Sequence, residues 1–286
     1  MKIIKYFFEF LIIIFLLIIF KIIGFKLASN FGGLIGRLFG PLFRSKKNIF
    51  SNISNALPEE EKINIELIIK KMWENYGRIL SEYVFIKNFR NSKLESFLKI
   101  EGQEILNNLK ETKEPVIFIS GHFNNFELMA MQIEKSGISL AAIYRPLNNI
   151  FLNKIMERIR KKYICQKQIK KGRSGTRELL ELFKKNYSIA LMIDQRVSEG
   201  IQSNFFNKAA LTTTIPAQLV KKFGCKVVPI YIERKNNFYF NIKINNPINF
   251  SKNTTIEEIT LNLNKWLENM ILLNPDQWIW SHDRWK

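Results

Sequence analysis

Hydrophobic positions in this chain of 286 residues fall into three rhythms. Tyr6 to Phe25 is a nearly continuous run of Ile, Leu and Phe, broken by Glu9 and Lys21. Its uncharged core, Phe10 to Phe20, is shorter than the roughly 20 residues of a full membrane span. Snorkelling of Lys21 and placement of Glu9 near the interface lengthen it. A helical rhythm runs from Glu59 to Phe85, where Ile65, Ile69, Met72, Trp73, Tyr76, Leu80 and Tyr83 recur at three- and four-residue spacing. That spacing predicts a core-facing amphipathic helix, with Pro58 suited to its start. The third rhythm is a set of short apolar runs bounded by turn residues, Pro115 to Ser120, Ser139 to Tyr144 and Ser188 to Ile193, which suit strands buried on both faces.

Helical patterns at Gln103–Lys110, Asn149–Tyr163, Gly175–Asn186, Thr214–Phe223 and Thr254–Leu273 alternate with these strands. Lys226–Glu233 and Phe238–Asn245 form a further strand pair across a short polar turn. The alternation predicts an α/β domain over residues 29–286, a mixed central sheet flanked by helices, preceded by a membrane anchor helix over residues 1–28. Lys2 and Lys5 precede the uncharged core, whereas Lys21, Lys26, Arg37, Arg44, Lys46 and Lys47 follow it, which places the C-terminal side in the cytoplasm. A cleaved signal peptide is disfavoured because Lys26 suits a cleavage site at Ala28 poorly. Gly32 to Arg44 mixes glycine, bulky apolar residues and two arginines, and reads either as a segment at the bilayer interface or as an ordinary linker.

Charge narrows the partners. A formal net charge of +19 points to something anionic: a phospholipid surface, a nucleic acid or an acidic protein. Cys165 and Cys225 are the only cysteines and make neither a disulfide framework nor a metal site. With His122 and His282 the only histidines, ligands for zinc are lacking, and no metal or other cofactor is expected.

The candidate chemistry lies in Glu114 to Ala130. The strand there delivers Gly121 and His122 at its carboxyl end, where open α/β sheets place ligands. Asn124 reads as the N-cap of the following helix and Glu127, three residues on, as its capping-box partner. If the loop folds the imidazole back, Glu127 can orient His122, and the neutral ring can take a proton from an alcohol. The alternative is that Glu127 only caps the helix and His122 is a polar loop residue.

His122-x4-Glu127 after a buried strand resembles the His-x4-Asp/Glu motif of the lysophospholipid acyltransferase superfamily, and its Glu form resembles the late acyltransferases of lipid A biosynthesis, the lauroyl and myristoyl transferases. The likeness runs from about Gly36 to the C-terminus. Tyr144-Arg145-Pro146 looks like the family's second block, Asp194-Gln195 like its Asp-Gln block, and Pro275 to Lys286 like its Trp-, His- and Arg-bearing tail. Gly172-Arg173-Ser174 is similar to the family's glycine-rich, arginine-bearing helix opening, where Arg173 and Arg177 could hold a phosphate. In the stretch Ile201 to Thr214, Asn207 stands where the family pattern has Gly.

The resemblance implies a glycerolipid-acyltransferase-like fold and the following assignments. His122 is the base, Glu127 its orienter, and Arg145 either binds phosphate or steadies charge on a thioester oxygen. Asn124, Asp194, Gln195, Arg173 and Arg177 contact substrate; Asp194 positions a polar substrate group or pairs with Arg145. The acyl donor is acyl carrier protein, the acceptor a Kdo-bearing lipid A precursor, and the place the cytoplasmic face of the inner membrane. Another lysophospholipid or glycolipid acceptor is the nearest alternative. A membrane-tethered nucleic-acid binder is the remaining one, with no stacking motif or recognition helix to support it. His282 reads as structural, and the tail as either a membrane-interface segment or a closure under the sheet.

Overall fold

The computed structural model describes residues 2–58 and 64–286. Helix α1 (Lys2–Ile23) is the apolar run, 22 residues or about 33 Å long, which by length and composition is enough to cross a membrane. It lies along the body. Near its start, Asn149 donates to the Tyr6 carbonyl at 2.8 Å and to Glu9 at 3.3 Å, and Phe151 packs against Phe7 and Phe10. Near its end, Lys21 reaches the Val84 carbonyl and the Asn88 side chain.

Gly24, at φ 81°, breaks the run and opens α2 (Phe25–Phe39). The predicted long helix is α4 (Ile65–Glu82), which follows α3 (Lys46–Ala56). The part of that helix expected over 59–63 lies outside the described residues. The glycines of α2 explain the odd composition of Gly32 to Arg44. Gly32 and Gly36 face α4 so closely that a Cβ on Gly36 would meet the Trp73 carbonyl, and one on Gly77 the Gly32 carbonyl. The bulky residues Leu27, Phe31, Leu34 and Leu38 point outward and are exposed. Residue 28 falls inside α2.

After α5 (Ile86–Arg90), the chain builds a sheet of seven strands in the order β1-β9-β8-β2-β5-β3-β4. Their ranges are β1 (Leu98–Glu101), β2 (Ile117–Ser120), β3 (Leu140–Tyr144), β4 (Lys167–Lys170), β5 (Ser188–Met192), β8 (Val227–Lys235) and β9 (Tyr239–Ile244). All neighbours are parallel except β8 and β9, so the sheet is mixed as predicted. Every residue of β2 is buried, which suits its unbroken Ile-Phe-Ile run. The flanking helices are α6 (Gln103–Thr112), α7 (Glu127–Lys135), α8 (Ile150–Ile159), α9 (Arg173–Lys184), α10 (Ile215–Phe223) and α11 (Ile256–Leu273).

Ile201 to Thr212 folds as an antiparallel hairpin, β6 (Ile201–Phe205) and β7 (Lys208–Thr212). Its two-residue turn holds Phe206 at φ 52° and Asn207 at φ 57°. Asparagine tolerates this left-handed conformation, so the missing glycine leaves the turn intact.

Alanine at Gly77 should lower the thermal unfolding midpoint. Alanine gains about 1 kcal/mol of helix propensity, but forcing the α2 backbone away costs about 2–3 kcal/mol, so the clash wins. Calorimetry beside Lys71→Ala, an exposed site on the same helix, checks this; equal midpoints would refute the close packing.

Candidate active site

Two parallel strands bring the central pair together. Ser120 on β2 is in register with Met192 on β5, and the Ile193 amide donates to the Ser120 carbonyl at 2.9 Å. His122 and Asp194 therefore leave the sheet at equivalent positions, at the carboxyl ends of adjacent strands. His122 Nδ1 lies 2.8 Å from one Asp194 oxygen. The other accepts the His122 backbone N–H at 2.7 Å and the Trp278 indole N–H at 2.9 Å.

The carboxylate is wholly buried, whereas the imidazole keeps 22% of its side-chain surface accessible. Burial opposes the charge on both groups. For Asp194 the His122 charge and the donated hydrogen bonds outweigh it, and the carboxyl is held below its usual range. For His122 the Asp194 charge and hydrogen bond outweigh it, helped by the Glu127 charge, and the ring is raised above the ordinary histidine value. An ionised Asp194 accepts a hydrogen bond from Nδ1–H, which leaves the Nε2 lone pair as the acceptor. Such an arrangement can accept a proton from a hydroxyl at Nε2.

The side chain on His122 Nδ1 is Asp194, not the Glu127 that the spacing suggested. Glu127 accepts Arg160 Nε at 2.7 Å and Nη2 on the same oxygen, while Asp194 occupies His122 Nδ1. The capping box is also absent. Asn124 sits at φ 42°, buried, and its amide donates to the Ile232 carbonyl and to Gln277. Its backbone N–H donates to the Gln277 backbone carbonyl at 3.2 Å, so Asn124 ties the His122 loop to the tail. With Asn124 so engaged, α7 begins at Glu127 itself, and Glu127 is free to meet Arg160.

Asp194 likewise differs from its expected role, being paired with His122 and neither with Arg145 nor turned toward an open face. β5 lies between β2 and β3, so Arg145 leaves the sheet two strand spacings from His122, roughly 10 Å away. It is exposed. Gln195 follows Asp194 and is half-buried, Arg177 is exposed on α9, and Arg173 is the first residue of that helix.

Sequence reasoning missed Arg160, which falls within the helical pattern Asn149–Tyr163 and carries no distinguishing motif. Arg160 stacks over the Tyr144 ring at 5.6 Å and forms a nearly buried pair with Glu127. Burial opposes its charge, but Glu127 outweighs that and raises it further. No local signal marks it among so many cations. Glu82 was also missed. Buried at the end of α4, it accepts from Ser29 Oγ at 2.7 Å, from both terminal nitrogens of Arg234, and from Asn125 at 3.2 Å. One carboxylate thereby joins α2, α4, the His122 loop and β8.

The tryptophan-rich tail is a closure. Trp280 and Arg284 are fully buried, Arg284 binds Thr212 and the Leu211 carbonyl, and the Trp285 indole donates to the Phe205 carbonyl. His282 Nε2 accepts the Arg196 amide at 3.1 Å, and burial lowers its ring below the ordinary value. These contacts tie the tail to the segment after β5.

A family model described as the bacterial lipid A biosynthesis acyltransferases matches residues 1–286. Lipid A biosynthesis acyltransferase 2 of Shigella flexneri is 22% identical over 86% of this chain and 79% of its own length. For the lipid A biosynthesis lauroyltransferase of Escherichia coli (strain K12) the values are 24%, 85% and 79%. For the myristoyltransferase of the same strain they are 21%, 86% and 77%.

With two histidines in the chain, their titration is separable by NMR. His122 should titrate above 6.5 and His282 below it. In Asp194→Asn the carboxylate is lost while burial remains, so the His122 value should fall; an unmoved value would break the pairing.

Proposed function

This chain belongs to the bacterial lipid A biosynthesis acyltransferases, and from that premise we propose that it moves a fatty acyl chain from acyl carrier protein to a hydroxyl of a Kdo-bearing lipid A precursor. The observation that carries the mechanism is the His122–Asp194 pair at the carboxyl ends of β2 and β5. Nε2 takes the hydroxyl proton as the oxygen attacks the thioester carbonyl. The tetrahedral oxyanion collapses, the C–S bond breaks, and the departing thiolate takes the proton back from Nε2. The ester forms without an acyl-enzyme.

Asp194 holds the tautomer and balances the imidazolium. Glu127 adds a second negative charge felt by the ring, and fixes Arg160 beside it as a cation for the developing oxyanion. Arg145, about two strand spacings away, suits a phosphate of the donor or acceptor better than the oxyanion. Gln195, Arg173 and Arg177 contribute polar and cationic groups to substrate binding; Asn124 acts by holding the loop.

Residues 1–28 anchor the protein in the inner membrane, and residues 29–286 work on its cytoplasmic face, where the cations following α1 favour acidic headgroups. Because both ends of α1 touch the body, the body accompanies the helix at the bilayer. The basic surface also suits an acidic carrier protein.

Acyl transfer from acyl carrier protein to a lipid A precursor, followed by mass analysis of the product, tests this reading. His122→Ala should cut turnover on the order of a thousandfold while membrane attachment persists. Activity within a factor of about two would remove His122 from the mechanism. In the wild type, kcat/KM should fall with acidity through a value above 6.5, because the protonated ring is no base. Arg145→Ala should raise KM for one substrate about tenfold or more, with a smaller effect on kcat. The reverse split would return Arg145 to the oxyanion.

A further inference from the structure

α2, the turn Gly40–Leu42, α3 and α4 enclose an open pocket of about 540 Å³. Its floor is apolar and buried, made by Ile49, Ile69 and Trp73. Its rim is cationic, with Arg37, Arg44, Lys46 and Lys70. Among the described residues, Glu66 is the acidic lining residue, and it is paired with Lys46 at 2.8 Å. Arg37, Arg44 and Lys70 have no acidic partner among the described residues.

The surroundings indicate where an occupant comes from. Leu38 and Leu67 line the pocket while 60% and 46% exposed, and beside them Leu42 and Phe43 are 79% and 76% exposed. Leu38 continues the exposed Leu27, Phe31 and Leu34 stripe of α2, a helix packed against α1, which bears exposed apolar residues of its own. A contiguous apolar surface of this kind marks contact with another phase or partner. On a chain with an apolar N-terminal helix that phase is lipid, with the arginines at headgroup level.

We infer that this pocket binds the headgroup of one anionic glycerophospholipid drawn from the bilayer. Its phosphate meets Arg44, Arg37 and Lys70, and its acyl chains lie along Leu38, Leu42 and Phe43. Guanidinium groups suit phosphate geometry, and the apolar floor suits the glycerol and upper chain. An acidic protein surface or a nucleic acid would leave that floor and the exposed collar uncovered. None of the pocket's lining residues belongs to the His122–Asp194 site.

Native mass spectrometry of the full chain, released from detergent containing equal amounts of phosphatidylglycerol and phosphatidylcholine, tests the site. A single phosphatidylglycerol adduct should dominate. Arg44→Gln with Lys70→Gln should reduce it about fivefold or more. Lys184→Gln with Lys185→Gln, an equal loss of exposed charge on another face, should leave it within about twofold. These positions are exposed, and circular dichroism verifies that each variant is folded. Equal retention of the two lipids, or an adduct unchanged in the pocket variant, would overturn the assignment. A parallel arm with inorganic phosphate alone should give no adduct sensitive to the pocket variant; such an adduct would make it a free-phosphate site and would also overturn it.

Discussion

A single buried carboxylate holds the site together. Asp194 accepts the imidazole Nδ1, the His122 backbone and the Trp278 indole. An ion taken out of water is tolerated only when its lone pairs are filled, and here the donors that fill them are the groups the site must position. The carboxylate thus sets the ring's tautomer, the path of the loop and the seat of the C-terminal tail together. Remove its charge and all three lose a common reference point.

A second buried carboxylate performs the same task beside the N-terminal helices. Glu82 gathers Ser29 from α2, Arg234 from β8 and Asn125 from the His122 loop. The glycine-lined contact of α2 with α4 lets the helices approach until this gathering is possible. The N-terminal helices are therefore part of the frame of the active site, not a detachable leash. The apolar N-terminal helices and the loop carrying His122 are mechanically one piece.

Basic charge is spread over surfaces with different tasks. Arg160 is locked inside by Glu127 and Tyr144, Arg234 and Arg284 are structural, and the rim around Trp73 faces outward beside exposed leucine and phenylalanine. A net charge of +19 conceals these distinctions. Partner preference follows from where each cation is held and what lies beside it.

The sequence by itself determined the α/β alternation, the apolar N-terminal helix, the buried β2 run and the emergence of His122 at its carboxyl end, because periodicity and turn chemistry act over a few residues. It also carried the family likeness. The edge strands β1 and β4 escaped notice because they are short and partly polar, so only their pairing marks them. The partner of the His122 ring was decided in three dimensions. Glu127 is near His122 in sequence, yet Asp194, 72 residues away, meets the ring because β5 lies beside β2 in register. Arg160, Glu82 and Trp278 acquired their places in the same way. Local patterns specify elements, whereas hydrogen bonds between distant side chains depend on strand order and register, which no short stretch encodes.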